Sequence, residues 1–324
     1  MITYSVVVPV FNEDKLIVTS YERLKAVMKQ TYEKFELIFV NDGSTDQTEK
    51  LLTEIATTDS SVRVVSFSRN FGHQIAITAG IDYAIGQAVI VIDADLQDPP
   101  ELILKMIEKW REGFDVVYGR RVVRKGETLF KKWTAAAFYR LLRASTDIDI
   151  PLDTGDFRLM DSCVCRELKR IPEKNRFVRG LVSWVGFNQT SIDYVRDERL
   201  AGETKYPLKK MLKLSIDGLT SFSYKPLKLA TYGGMLLSAA GFLYMIVALI
   251  LKLFTANTVP GWTSLIVIQL LFGGFMLFVL GMIGEYIGRI YDEAKDRPLY
   301  IVRETRGFSA ADRLRSVTTS VKHG

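Results

Sequence analysis

The chain has 324 residues, 48% of them hydrophobic and 25% charged, with a net charge of +6. That is an ordinary globular composition, long enough for one large or two smaller domains with a sizeable core. Two cysteines, Cys163 and Cys165, exclude a disulfide framework: Cys-x-Cys is too close for an easy bridge, and His73 and His323 are poor zinc partners for it.

The N-terminal MITYSVVVPVF has no basic leader and enters a strand at once, so it is not read as a signal peptide. Strands are predicted at Tyr4 to Val8, Phe35 to Val40, Val62 to Phe67, Val89 to Ile92 and Val116 to Gly119. Helices are predicted between them: about Asp14 to Gln30, one opening after Ser44, His73 to Ile85, and Pro99 to Trp110. Strands alternating with helices at this spacing imply βαβ units, an α/β fold and a mostly parallel sheet. Ligands on such sheets bind at the carboxyl ends of the strands.

Four of those ends are polar. They read Pro9-Val10-Phe11-Asn12-Glu13, Asn41-Asp42-Gly43-Ser44, Ser68-Arg69-Asn70-Phe71-Gly72 and Asp93-Ala94-Asp95-Leu96-Gln97-Asp98. Neither a G-x-G-x-x-G fingerprint nor a P-loop is present, so phosphates must be held another way. Paired carboxylates suit a hard cation, Mg²⁺ or Mn²⁺, that bridges to the oxygens of a diphosphate. Asp98 can equally serve as a cap for the helix opening at Pro99. His73 opens a helix after a turn and reads as a structural or substrate-contacting residue rather than a base.

The ordered motifs VVVPVFNE, VNDGSTDQT, SRNFGHQIAITAG and DADLQDPPE resemble glycosyltransferase family two. The likeness continues through Gly155-Asp156-Phe157-Arg158-Leu159, Asn175 to Gly180, and Arg199 to Tyr206. Within that family it is similar to the polyprenyl-phosphate glycosyltransferases, over roughly the first 210 residues and, through the paired apolar segments, to about residue 300. The resemblance implies a GT-A nucleotide-sugar-binding domain, a nucleotide-diphosphate sugar donor, a polyprenyl phosphate acceptor, inversion at the anomeric carbon and a homo-oligomer such as a tetramer. It implies that Pro9, Phe11 and Glu13 surround the base and ribose, that Asp42 contacts the base, and that Asp93 and Asp95 hold metal and diphosphate with Gln97 beside the metal. Asp156 falls at the family's candidate catalytic base, and Arg199 and Lys205 on a mobile loop that approaches the phosphates. A lipid phosphate monoester, with a second pKa of about 6 by analogy with phosphoproteins, is already largely anionic. Asp156 can therefore act as a base, orient the acceptor or support the cation.

Leu229 to Phe254 and Thr263 to Ile283 each exceed the ~20 apolar residues a membrane helix needs. Lys205, Lys209, Lys210, Lys213, Lys225 and Lys228 precede the first, and Arg289, Lys295, Arg297, Arg303 and Arg306 follow the second. This puts both flanks, the catalytic domain and both termini in the cytoplasm, with no nucleic acid among the partners. The expected division is a catalytic domain over 1–204, an amphipathic juxtamembrane segment over 205–228, two transmembrane helices over 229–288 and a cytoplasmic tail over 289–324. A processive polysaccharide synthase is the nearest competing reading, but its Q-x-x-R-W motif is missing where the chain has Arg176-Phe177-Val178-Arg179-Gly180. A non-catalytic membrane scaffold is the other, and the intact Asp93, Asp95 and Asp156 count against it.

Overall fold

The computed structural model describes residues 2–123, 154–195, 225–254 and 261–308. Its chain divides into two compact units, Met1–Ser215 with Pro298–Gly324, and Ile216–Arg297.

The first unit is built on a sheet of eight described strands in the order β7-β5-β6-β4-β1-β2-β3-β8. Its centre is parallel: β1 (Tyr4–Val10), β2 (Phe35–Asn41), β3 (Val62–Phe67) and β4 (Ala88–Val91). These strands are apolar and largely β-branched because the sheet buries them on both faces. Val6, Val8 and Val10 join the core formed with α1 (Ile17–Lys29), α2 (Thr48–Thr58) and α4 (Leu102–Arg111). On the other face α3 (His73–Tyr83) lies so close to β1 that a Cβ on Gly80 would collide with Val7. A second layer, α5 (Ser162–Arg170) and α6 (Val178–Trp184), packs on α3, whose middle, Ala76 to Ile81, is buried.

The margins are mixed. β5 (Val116–Val123) pairs parallel with β7 (Gln189–Val195), while β6 (Thr154–Asp161) runs antiparallel between β4 and β5. In that register Val91 faces Arg158. Continuing it by two residues sets Asp93, just past the end of β4, opposite Asp156.

At the far edge, β8 (Val302–Arg306) pairs antiparallel with β3. The Tyr300 ring stacks on Phe67 at 5.1 Å and its hydroxyl donates to Asp82 at 3.0 Å, while Phe308 packs on Tyr83. The stretch expected as a tail from residue 289 is thus not a tail throughout, since 302–306 covers a sheet edge. Arg303 and Arg306, counted above as a membrane flank, pair with Glu49 and Glu304 in this unit.

The second unit contains α7 (Lys225–Phe254) and α8 (Trp262–Ala294), which take up both expected apolar spans. They pack where Gly233 and Gly241 admit the rings of Phe275 and Phe272. Among the described residues, one stretch, Leu271–Ala294, is long and apolar enough to cross a membrane by length and composition.

Candidate active site

The carboxyl ends of β1, β2 and β3 are stitched to one another. Asn12, at φ 53°, accepts from Thr45 N at 2.8 Å, and its own N–H donates to Ser44 Oγ. Glu13 N donates to Thr48 Oγ1 at 2.9 Å. Gly43 has φ +67°, and a Cβ there would stand 2.7 Å from Asn70 N, so only glycine lets the second and third loops touch. Asp42 accepts from Phe71 N at 2.7 Å and Gly72 N at 3.0 Å. Burial raises its pKa against those two hydrogen bonds. The work visible for Asp42 is therefore to shape the turn before α3. Pro9 is buried in β1, and Phe11 is exposed just past it.

That turn delivers His73. Its Nε2 lies 3.3 Å from Asp156 Oδ2 and 3.5 Å from Asp93 Oδ1, spanning the two carboxylates that the β4–β6 register brings together. Burial works against a charged imidazole, but Asp93 and Asp156 outweigh it and lift His73 to about 9. The two carboxylates thus favour the charged imidazolium over the neutral ring.

Asp156 is 6% exposed and heavily engaged. Arg179 donates to it through Nε at 2.8 Å and a terminal nitrogen at 3.2 Å, and Gln74 Nε2 donates at 3.1 Å. Gln74 in turn accepts from Val178 N, tying α6 to α3. Burial alone would raise Asp156, yet Arg179 and His73 hold it well below the usual carboxylate range. A carboxylate so stabilised is a weak proton acceptor.

Asp93 differs. Burial and the neighbouring carboxylates Asp98, Asp156 and Asp95 push it up to about 6 against the pull of His73. Its Oδ1 is buried without a hydrogen-bond partner. Asp95, 9% exposed, accepts from Gln97 N at 3.2 Å across a turn in which Leu96 adopts φ 56°. No group of three or more His, Cys, Asp or Glu side chains gathers as a ready-made metal cage among the described residues. Mg²⁺ and Mn²⁺ are commonly held by one or two carboxylates plus substrate phosphate oxygens, so a donor set of two carboxylates, one with an oxygen that accepts no hydrogen bond and faces His73 at 3.5 Å, fits such a cation.

Of the residues singled out by sequence, Asp93 and Asp156 meet through His73, and Asp95 and Gln97 share the adjoining turn. Arg199 and Lys205 lie outside the described residues. Sequence reasoning assigned no role to Arg179 or Gln74, although both stand inside the quoted motifs. Both cysteines are free thiols.

The chain is 70% identical to the uncharacterized glycosyltransferase YkcC of Bacillus subtilis (strain 168), over 95% of either chain. It is 43% identical to the bactoprenol glucosyl transferase of Shigella phage SfII, over 93% of this chain and 97% of that one. A solved structure of glucosyl-3-phosphoglycerate synthase from Mycobacterium tuberculosis, in complex with Mn²⁺, UDP and glucosyl-3-phosphoglycerate, is 22% identical, covers 66% of this chain and 76% of that one, and has a TM-score of 0.42. The α/β architecture is GT-A-like. A family model described as Glycosyl transferase family 2 matches residues 5–168, the span that holds β1 to β6 and each site carboxylate above, and the chain belongs to that family.

Proposed function

We propose that this glycosyltransferase moves a hexose from a nucleotide-diphosphate sugar, UDP-glucose or UDP-N-acetylglucosamine in the first instance, to undecaprenyl phosphate at the membrane surface. The observation that carries the reading is the His73 bridge between Asp93 and Asp156, which sets a cation-competent carboxylate beside one locked by arginine. The name of the Shigella phage relative supports the lipid acceptor and the glucosyl donor. Two membrane spans, a cytoplasmic catalytic unit and phosphate contacts from Arg199 and Lys205 belong to the same proposal, supported by the basic flanks in the sequence.

The chain's own residues divide the work. Asp93 and Asp95, with Gln97 beside them, would hold Mg²⁺ or Mn²⁺, which when bound neutralises charge on the departing diphosphate. His73 and Arg179 supply fixed positive charge next to the reacting centre, where an anionic acceptor arrives. Asp156 keeps that pair oriented, and the acceptor phosphate enters already ionised, so no side chain has to remove its proton. Attack on the face opposite the nucleotide inverts the anomeric carbon.

The test is transfer by purified full-length protein from a panel of labelled nucleotide sugars to undecaprenyl phosphate. Labelled lipid from at least one uridine-diphosphate hexose, abolished by chelator, is expected. Hydrolysis without lipid product, or a polymer in place of a single lipid-linked sugar, would overturn the reading.

A further inference from the structure

Asp98 ends the turn that starts at Asp93, and it is only 1% exposed. Two side chains from the sheet margin converge on it. The Tyr194 hydroxyl, from β7, donates to Asp98 Oδ1. A terminal nitrogen of Arg121, from β5, lies 3.5 and 3.4 Å from its two oxygens. Arg121 Nε also donates to the Tyr194 hydroxyl at 3.1 Å, so the three groups close a triangle.

The surrounding residues are cut to admit it. A Cβ on Gly155 would run into the Arg121 guanidinium, and one on Gly119 would stand 2.8 Å from the Tyr194 ring. Phe157 meets that ring edge-on at 6.2 Å. The triangle thus touches β5, β7, the turn after β4, and the β6 residues on either side of Asp156.

Such a network is costly to bury unless it is complete, and when complete it fixes geometry. The turn it grips needs fixing. Leu96 holds a left-handed backbone at φ 56°, a strained conformation that persists only when its surroundings over-determine it. Asp93 and Asp95 sit on that same turn.

We infer that Asp98, Arg121 and Tyr194 are positioning residues that lock the Asp93–Asp98 turn in the shape that receives the cation and diphosphate of the donor. The inference rests on the donor-site reading above. It also gives the polar character of Asp98 a role distinct from opening the helix at Pro99.

The experiment uses full-length protein in detergent and reads Mn²⁺ binding in the presence of UDP, by titration with an EPR signal for free Mn²⁺. Tyr194→Phe keeps the ring and removes only the hydroxyl, and is expected to weaken Mn²⁺ affinity about tenfold, the usual range for loss of an outer-shell partner. Arg121→Lys keeps the charge but loses the planar fork, and is expected to do the same. UDP binding without metal and the KM for undecaprenyl phosphate should hold. If Tyr194→Phe lowers the melting temperature yet binds Mn²⁺ as the wild type does, the triangle is only scaffold and the inference falls. If the wild type itself binds no Mn²⁺ with UDP, the donor-site reading falls first and takes the inference with it.

Discussion

Arg179 meets Asp156 in a two-pronged ion pair, Nε to one carboxylate oxygen at 2.8 Å and a terminal nitrogen to the other at 3.2 Å. The two residues come from different elements, α6 and β6, and the guanidinium also donates to Thr154 O at 3.0 Å. The pair holds the Asp156 carboxyl well below the usual carboxylate range, which supports the proposal that it fixes its partners instead of shuttling a proton.

The first prediction follows from that pairing. Asp156→Asn leaves Arg179 without its counter-charge and His73 with Asp93 alone, which should cost about 3 kcal/mol of stability and lower kcat on the order of 10²-fold through misplacement. Donor binding should change little. With Asp156 as the proposed anchor, the kcat defect should be the same from pH 6 to 9. A defect that fades with rising pH would restore the role of base.

Asp93 yields a prediction about the cation. A ligand carboxylate must be ionised, and burial beside Asp98, Asp156 and Asp95 brings its pKa up to about 6. Mn²⁺ affinity of the UDP complex should therefore fall as pH drops through 6, more steeply than an unperturbed aspartate would allow. Asp93→Asn should abolish cation-dependent transfer while the protein stays folded. Near wild-type transfer by that variant with chelator present would remove the cation from the site.

His73 sets the pH dependence of stability in the opposite direction. Its folded pKa, about 9, stands above the unfolded 6.5. The charged form is thus favoured by folding, and the stabilisation is complete below pH 6.5 and lost as pH rises through 9. Wild-type melting temperature should decline across that window. His73→Gln, which has no proton to lose, should flatten the decline; an unchanged slope would place the titrating group elsewhere.

How much of this was legible in the sequence depended on the chemistry of each strand. β1 to β4 announced themselves as β-branched apolar runs, because a parallel sheet covered on both faces needs nothing else. β6 did not, since TGDFRLMD carries Thr154, Asp156 and Arg158 at buried positions. Asp156 is satisfied by partners distant in sequence, Arg179, Gln74 and His73, while Arg158 turns back to the carbonyls of Asp156 and Gly155. Asp93 and Asp95 could be read as a site from their place at a strand end, whereas the meeting of Asp93 with Asp156 depends on an antiparallel register that no local pattern encodes. Asp42 matched the motif, but only the fold shows it gripping the Phe71–Gly72 turn. β8 was hidden for a third reason: VRETR is polar because it is an edge, and it follows a long apolar helix that draws the eye to the membrane.

That edge strand supports the last prediction. β8 covers β3, whose carboxyl end leads into the Ser68–Gly72 loop gripped by Asp42, and Ser68 N donates to Ile301 O at 3.0 Å. Tyr300 is the fastener: its ring stacks on Phe67, which meets Phe71 edge-on, and its hydroxyl reaches Asp82 near the end of the helix that begins with His73. Tyr300→Phe leaves the half-buried Asp82 carboxylate short of a donor and should cost about 1 kcal/mol. Tyr300→Ala also removes the half-buried stacked ring and should cost more than the loss of the hydroxyl alone. Ending the chain at residue 297 removes the strand entirely and leaves β3 as an open edge prone to pairing between molecules. Because the loop and α3 border the donor side, the truncated protein should show a raised KM for nucleotide sugar and aggregate at lower temperature, even with α8 retained. A truncated protein with wild-type KM and melting behaviour would mean that 298–308 merely lies on the sheet and holds nothing in place.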